Sequence, residues 1–324
     1  MMPAKQFDLV IVGHLTIDLR KFGDEENIEM GGPPAYAMVA PALGLKKVGI
    51  VSCVGRDFPT AYYNRLVSSG LDLQGLSQNK HTTHFTNTYN ELGDRTQQVD
   101  TVSDPLTLDN FPDSYWNTLW MHFSPVIGEV DSLIIPKVKT RGIQVSIDAQ
   151  GFVRKRKKED TKIINCEWEE FSGLASHIDV LKADSQELRQ LTKQNDTQTA
   201  AQRVHEMGIP LLLITRGYKG AYLSYEETFY KIPAIEPQYI VDHTGSGDVF
   251  SISYLVEFQR TQRPLWSAFF ASAAASYNLE TPGPTNFPSH KQVITRLQGF
   301  LTLPENRQHT EQLLNEPGPT ECPL

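Results

Sequence analysis

The sequence predicts a doubly wound α/β fold, in which a mostly parallel β-sheet carries helices on its faces. Short apolar runs recur along the chain, each followed by a glycine or polar turn and then by residues with helical periodicity. These runs are residues 9–12, 48–51, 118–123, 144–147, 180–182 and 211–215. Strands of this kind are buried on both faces, which is typical of a parallel sheet between helices.

Two segments, 19–29 and 82–99, do not fit this rhythm. Polar and apolar residues alternate in both, and Leu92-Gly93-Asp94-Arg95 supplies a turn in the second. They predict antiparallel strands outside the main sheet, which would form a small flap, or lid, over a binding cleft. An ordinary surface hairpin is the alternative.

Composition limits the classes of partner. The 324 residues include 40% hydrophobic residues, enough for a sizeable core, and the net charge of −8 disfavours nucleic acid and anionic membranes. Three cysteines without metal-ligand spacing, no secretory pattern at the N-terminus and no long apolar span favour a reducing cytoplasm. We expect one domain over residues 1–302 and a polar, frayed tail over 303–324.

The most informative motif is the run D-H-T-G-S-G-D-V-F at 242–250. A helix that starts after Gly245-Ser246-Gly247 would direct free backbone N–H groups and its positive dipole end at an anion, which favours a phosphate. A carboxylate beside such an anion hole suits the task of accepting a proton from a hydroxyl that attacks phosphorus, and Asp248 has that position. A tight glycine turn with Asp248 as a helix N-cap is the alternative. The first interpretation predicts a kinase of small molecules.

This run resembles the C-terminal motif D-T-x-G-A-G-D of the PfkB, or ribokinase-like, carbohydrate kinases. His243 and Ser246 depart from the pattern, while both carboxylates and both glycines match it. The resemblance extends over about residues 7–300 and implies a ribokinase-like fold, with Asp248 as the general base and Gly245, Ser246 and Gly247 as the catalytic anion hole.

The resemblance also implies an acceptor site. It assigns substrate binding to a strand-end aspartate, a glycine pair and a D-x-Q-G-F-x-R element, namely to Asp18, Gly31, Gly32, Gln150 and Arg154. Gly13-His14, the glutamine form of this element and a G-G-x-x-A-Y helix start look most like the archaeal inositol-kinase branch, so myo-inositol is the expected substrate. A nucleoside or ketose kinase is the alternative among enzymes, and a sugar-sensing or scaffold protein on the same fold is the alternative outside them.

For the phosphoryl donor, the resemblance implies ATP and Mg²⁺. Asp184 and Glu187 stand in the N-x-x-E motif and would hold Mg²⁺, through water; their spacing also fits an N-cap and capping box. The expected nucleotide-binding residues are Asp184, Thr215, Arg216, Gly217, Gly220, Thr244 and Ser272, with adenine against the helix over 271–276.

The lid strands also bear on assembly. If they expose an apolar face, a second copy of the chain would cover it. A homodimer through the lid is therefore the hypothesis.

Overall fold

The computed structural model describes residues 5–89, 95–157, 160–226 and 228–316. The strands are β1 Phe7–Val12, β2 Thr16–Phe22, β3 Glu25–Gly31, β4 Val48–Gly55, β5 Asp72–Asn79, β6 Thr83–Tyr89, β7 Arg95–Thr101, β8 Thr118–Phe123, β9 Gln144–Asp148, β10 Arg154–Arg156, β11 Ile163–Asn165, β12 Val180–Asp184, β13 Leu211–Thr215, β14 Ala221–Tyr225 and β15 Thr228–Ile232. The helices are α1 Pro33–Tyr36, α2 Val39–Ala42, α3 Thr60–Ser68, α4 Ile134–Lys139, α5 Phe171–Leu174, α6 Ser185–Thr192, α7 Thr197–Glu206, α8 Ser246–Thr261, α9 Pro264–Asn278, α10 His290–Leu301 and α11 Arg307–Leu314.

The main sheet has nine strands in the order β15-β14-β13-β12-β9-β8-β1-β4-β5. The strands from β13 to β5 in this order pair in parallel, whereas β14 and β15 pair antiparallel at one edge. Alternate residues of β1 enter different cores: Leu9 and Ile11 belong to one apolar cluster, Val10 and Val12 to the other. Both faces of the sheet are therefore covered, and the predicted doubly wound architecture is confirmed.

The predicted lid is a second sheet of four strands in the order β3-β2-β6-β7. β2 and β3 form an antiparallel hairpin, β6 pairs antiparallel with β7, and β2 and β6 join the two hairpins in parallel. The sheet outside the main core is thus confirmed. Residues 92–94 of the predicted turn lie outside the described residues.

The helix expected after Gly32 is broken into α1 and α2. Pro41 has no N–H to donate to the carbonyl of Ala37, which instead accepts the N–H of Ala40 at 3.0 Å. The break keeps Tyr36 at the end of a short helix that packs against α8.

The C-terminal segment packs onto the α8–α9 pair. Leu313 in α11 is fully buried. Glu316 accepts the backbone N–H groups of Leu265 and Trp266, in the first turn of α9, at 2.6 and 3.0 Å. The buried guanidinium of Arg263 donates to the carbonyl of Leu313 at 2.5 Å.

The expectation of a frayed tail is therefore wrong for residues 303–316. One buried leucine and one capping carboxylate anchor this segment, and neither produces an apolar period that a sequence pattern reveals. Residues 317–324 lie outside the described part of the chain.

Across the described residues, none of the helices combines the length and apolar character that a membrane crossing requires.

Candidate active site

Polar side chains collect at the carboxyl ends of the parallel strands. Asp148 ends β9, Asp184 ends β12 and Thr215 ends β13, three strands that are neighbours in the main sheet. In open α/β sheets this edge is where ligands bind. The sheet therefore brings two predicted residues, Asp184 and Thr215, to one edge beside Asp148.

The predicted anion hole forms at the start of α8. Gly245 is the N-cap residue, with φ of +76°, and no side chain caps the helix. The first-turn amides are thus left facing the site without a side-chain acceptor. Asp248 lies in the first turn and is not the N-cap, so the capping alternative for this residue is wrong.

Gly245 and Gly247 each have a close neighbour. A Cβ atom on Gly245 would lie 1.9 Å from Cζ of Tyr36, so only glycine fits against this ring. A Cβ atom on Gly247 would lie 3.6 Å from Nζ of Lys182. The Ser246 hydroxyl is turned back to the carbonyl of His243, at 3.1 Å. The site therefore consists of backbone amides with an ammonium group beside them.

Lys182 and Asp148 form a buried ion pair of 2.9 Å, and the sequence analysis did not identify Lys182 as a site residue. Burial opposes the ammonium charge, but the carboxylates of Asp148, Glu187 and Asp248 outweigh it and raise the pKa of Lys182 above its usual range. The lysine is therefore charged at neutral pH. A charged residue at the end of an otherwise apolar run, V-L-K-A-D, was the signal that could have revealed it.

Asp248 has a strongly altered acidity. Burial raises its pKa, and the negative charge of Asp148 raises it further, while Lys182 and Arg154 act in the opposite direction; the result is about 7. A carboxyl group of this acidity is poised to take up a proton near neutral pH.

A cleft lies under the lid beside the anion hole. Its lining consists of Asp18, Arg20, Glu29, Met30, Tyr36, Asn87, Asp242, Thr244 and Gly283. Three of these residues carry carboxylates. Asp242 is 3.6 Å from the Arg20 guanidinium and also accepts the N–H groups of Thr244 and Gly283. Asp18 accepts the hydroxyl of Thr16 at 2.6 Å.

The predicted glycine pair supports the wall of this cleft. A Cβ on Gly31 would lie 2.4 Å from a carboxylate oxygen of Asp18. Gly32 has φ of +82°, and its Cβ would lie 2.1 Å from the carbonyl oxygen of His14. Gly31 therefore lets β3 lie against Asp18 in β2, and Gly32 lets the start of α1 approach His14, in the segment between β1 and β2.

The other two residues predicted to bind the acceptor, Arg154 and Gln150, lie outside the cleft lining. The Arg154 guanidinium donates to the carbonyl of Val126 at 2.6 Å and to Gln97 of the lid at 3.3 Å. Gln97 in turn donates to the cleft residue Asn87 at 2.9 Å, so Arg154 connects with the cleft through the lid. Gln150 is not among the described residues that line the cleft; its N–H donates to Asp148 at 3.1 Å.

Asp184 and Glu187 form the capping box of α6. One oxygen of Asp184 accepts the N–H groups of Gln186 and Glu187, both at 2.7 Å, and one oxygen of Glu187 accepts the N–H of Asp184 at 2.7 Å. Burial raises the pKa of Glu187, against the opposing effect of Lys182.

This arrangement bears on the predicted metal ion. No group of three or more potential ligand side chains occurs within the described ranges. The capping box engages one oxygen of each carboxylate, and the other oxygens suit contacts to the water shell of a hydrated Mg²⁺, which keeps several waters in most protein sites. The residues present therefore fit a water-mediated site.

The predicted donor loop follows β13. Thr215 ends this strand, and the Arg216 guanidinium lies 4.5 Å from the ring centre of Tyr222. Gly217 and Gly220 have φ values of +57° and +81°. Both positions favour glycine on backbone grounds alone.

The remaining predicted nucleotide residues attach the segment before the anion hole to α9. The Ser272 hydroxyl donates to the carbonyl of Pro233 at 2.7 Å, and the carbonyl of Thr244 accepts from Asn278 at 2.8 Å. The helix expected to meet adenine thus also fixes the chain that leads into the anion hole.

Comparison with known proteins agrees with the kinase family that the sequence motifs resemble. Residues 6–292 match the model of a family described as pfkB family carbohydrate kinase. The cytidine kinase of Thermococcus kodakarensis is 33% identical over 263 residues, which cover 80% of this chain and 90% of that protein.

Two solved structures share the fold. A pyrophosphate-dependent kinase in the ribokinase family, complexed with a pyrophosphate analog and myo-inositol, has a TM-score of 0.74 at 23% identity, over 89% of this chain and 99% of that chain. Arabidopsis thaliana ribokinase, complexed with ribose and ATP, has a TM-score of 0.74 at 20% identity, over 91% of this chain and 99% of that chain. At these identities the two structures establish the fold alone, and they confirm that it is ribokinase-like.

Proposed function

The chain belongs to the pfkB family of carbohydrate kinases, phosphotransferases that act on hydroxyl groups, and we propose that it phosphorylates a nucleoside, with cytidine as the first choice. We propose ATP as the phosphoryl donor and Mg²⁺ as its counterion. The proposal departs from the myo-inositol expected from sequence motifs, because the 33% identical relative is named a cytidine kinase.

The charge of the acceptor cleft supports an uncharged acceptor, and the relative named a cytidine kinase selects a nucleoside among these. Asp18, Glu29 and Asp242 place three carboxylates around it, against the single guanidinium of Arg20 within the lining. A phosphorylated sugar would meet like charges at short range in a partly desolvated site. An uncharged acceptor with several hydrogen-bond donors suits this lining, and a nucleoside offers ribose hydroxyls and, in cytidine, an exocyclic amine.

The cleft residues supply the orientation of the acceptor. Asp18 accepts hydrogen bonds from sugar hydroxyls and holds the reacting hydroxyl toward Asp248. Asp248 accepts the proton of that hydroxyl as it attacks, a role for which a pKa of about 7 is suited.

The opposite side of the site stabilises developing negative charge. The amides of Gly245, Ser246 and Gly247 lie at the start of α8, which no side chain caps, and the ammonium of Lys182 lies beside Gly247. Pre-aimed donors of this kind contribute on the order of 3 kcal/mol each to barrier lowering. A bound nucleotide with Mg²⁺ would supply the phosphoryl group, and Asp184 and Glu187 would hold the water shell of the ion.

The test is a coupled assay of ADP release with cytidine, uridine, adenosine, ribose, myo-inositol and fructose phosphates as acceptors, in the presence of Mg²⁺. Pyrophosphate replaces ATP in a parallel series, with phosphorylated product measured directly. We expect the highest kcat/KM for cytidine with ATP. Turnover of myo-inositol alone would restore the expectation from sequence, and nucleoside binding without product would favour a sensing protein.

Asp248→Asn provides the control for chemistry. Loss of a general base lowers kcat by about 10² to 10⁴-fold. Because the amide has nearly the same shape, ATP binding by calorimetry should remain. A variant that keeps more than about a tenth of the wild-type kcat contradicts the assignment of Asp248 as the base.

A further inference from the structure

Tyr36 places a buried phenol at the junction between the acceptor cleft and the anion hole. The residue is 1% exposed, and it lines the cleft. The contact of its Cζ atom with the Gly245 backbone puts the hydroxyl end of the ring, rather than its base, at the entry to α8. Tyr36 therefore borders the space in which the acceptor hydroxyl and the anion hole meet.

Its hydroxyl has no hydrogen-bond partner among the described residues. Burying a donor without a partner is costly, so a bound molecule that accepts from it gains by doing so. Burial raises the pKa of Tyr36 far above its usual range, and the charges of Asp248, Asp18, Asp242 and Glu29 raise it further, in that order. The phenol consequently keeps its proton and acts as a donor.

The chemistry of a ribose favours one group as the partner of this donor. Its hydroxyls can donate to the carboxylates of the cleft, but its ring oxygen can only accept. In a nucleoside, this ring oxygen lies on the carbon next to the hydroxymethyl group, close to the hydroxyl that Asp248 would deprotonate. The carboxylates around this end of the cleft offer no proton to it when ionised.

We propose that the Tyr36 hydroxyl donates a hydrogen bond to the ring oxygen of the acceptor's ribose and thereby selects furanosides over acceptors that lack this oxygen. The inference rests on the proposed nucleoside kinase function. It makes Tyr36 a specificity-determining residue of the acceptor site.

The experiment compares cytidine with its carbocyclic analogue, in which a methylene group replaces the ring oxygen. Wild type should prefer cytidine by about tenfold in kcat/KM, the value of one hydrogen bond of about 1.4 kcal/mol. Tyr36→Phe should lower kcat/KM for cytidine by a similar factor and leave the analogue unchanged, because that substrate has no acceptor to lose.

Tyr254→Phe is the matched control. Tyr254 is also fully buried with an unpartnered hydroxyl among the described residues, but it lies in α8 outside the cleft lining. This variant should treat both substrates as wild type does.

The possible results are distinguishable from one another. If the wild-type enzyme phosphorylates cytidine and the analogue equally well, the proposal is overturned without any variant. It is also overturned if Tyr36→Phe changes kcat/KM equally for both substrates, or for neither. Failure of wild type to phosphorylate any nucleoside removes the proposed function itself, which is a different result from nucleoside turnover without dependence on the ring oxygen.

Discussion

Asp248 lies in the first turn of α8, and Lys182 reaches the start of this helix from β12. The carboxyl group has a pKa raised to about 7 by burial and by Asp148, while the ammonium remains charged through its pairing with Asp148. One group can therefore gain a proton near neutral pH while the other supplies a constant positive charge. We therefore expect the two side chains to have separable effects on activity.

The pKa of Asp248 predicts a pH profile. Because the proposed base is the ionised carboxylate, we expect kcat/KM to rise about tenfold per pH unit below pH 7 and to level off above it. Initial rates between pH 5 and 9 check this. A profile that is flat across pH 7 would remove the assigned base.

The same shift predicts a change in stability. Between the ordinary aspartate pKa and about 7, the folded protein binds more protons than the unfolded chain, so the free energy of unfolding should fall as pH rises through this window. The melting temperature of Asp248→Asn, measured as a function of pH, should not show this decrease.

We expect Lys182→Met to lose turnover because it removes the positive charge of the ammonium. The methionine has a similar length and suits an apolar strand, but it leaves Asp148 buried without its partner. We expect kcat to fall by more than about 100-fold, comparable with the removal of one charge-stabilising donor. Lys182→Met/Asp148→Asn is the control that relieves the unpaired carboxylate; recovery of stability together with full activity would contradict a role for the ammonium in the reaction.

At the scale of elements, the start of α6 has one observed role, helix capping, and one proposed role, contact with Mg²⁺ through water. Its capping box uses Asp184 and Glu187 to satisfy the amides at the helix start, and the same carboxylates stand where the family resemblance expects Mg²⁺ contacts. The cap orients both side chains before any ion arrives. Effects on helix stability and on metal use can therefore be separated by the choice of substitution.

Asp184→Asn and Asp184→Ala provide that separation. Asparagine is as good an N-cap as aspartate, so it should leave the melting temperature nearly unchanged, whereas alanine should cost about 1 kcal/mol of stability. Alanine should raise the Mg²⁺ concentration needed for half-maximal rate more than asparagine, whose amide oxygen can still accept from the water shell of the ion. If Asp184→Ala has wild-type Mg²⁺ dependence, the side chain serves the helix alone.

At the scale of the whole molecule, the C-terminal segment ties the helical layer together. α11 and Glu316 hold the N-terminus of α9, while the opposite end of α9 attaches the chain leading into the anion hole. The segment predicted to be a tail and the chain before α8 therefore contact opposite ends of the same helix, α9.

Two adjacent leucines test this anchoring. Leu313 is fully buried and Leu314 is 62% exposed. Leu313→Ala should destabilise the protein by about 2–5 kcal/mol, while Leu314→Ala should stay within about 0.5 kcal/mol of wild type. Chemical denaturation measures both, and equal effects would show that α11 does not dock in solution.

Assembly through the lid stays a prediction. Ile28 of β3 and Phe22 of β2 are 62% and 50% exposed, and β3 is an edge strand of the lid sheet. We expect a dimer of about twice 36.5 kDa in light scattering. Ile28→Asp should shift it toward monomer; a wild-type monomer removes the hypothesis.

The sequence was informative where the chemistry is local. Asp248 and the glycines lie within one short motif. The six apolar runs predicted to be strands coincide with the observed strands β1, β4, β8, β9, β12 and β13. Lys182 and Tyr36 were missed as partners of that motif because only the tertiary fold brings β12 and α1 against the start of α8. The anchoring of 303–316 depends likewise on contacts with α9 that leave no periodic signal.

The contact between Gly245 and the Tyr36 ring has a consequence for protein engineering. A mutational library aimed at new acceptors would naturally vary Tyr36. The ring of this residue, however, also packs against Gly245 in the turn that leads into α8. Smaller residues at position 36 would enlarge the cleft and at the same time loosen the backbone of the proposed anion hole. Acceptor range is therefore better diversified at Glu29 and Asn87, which line the cleft from the lid.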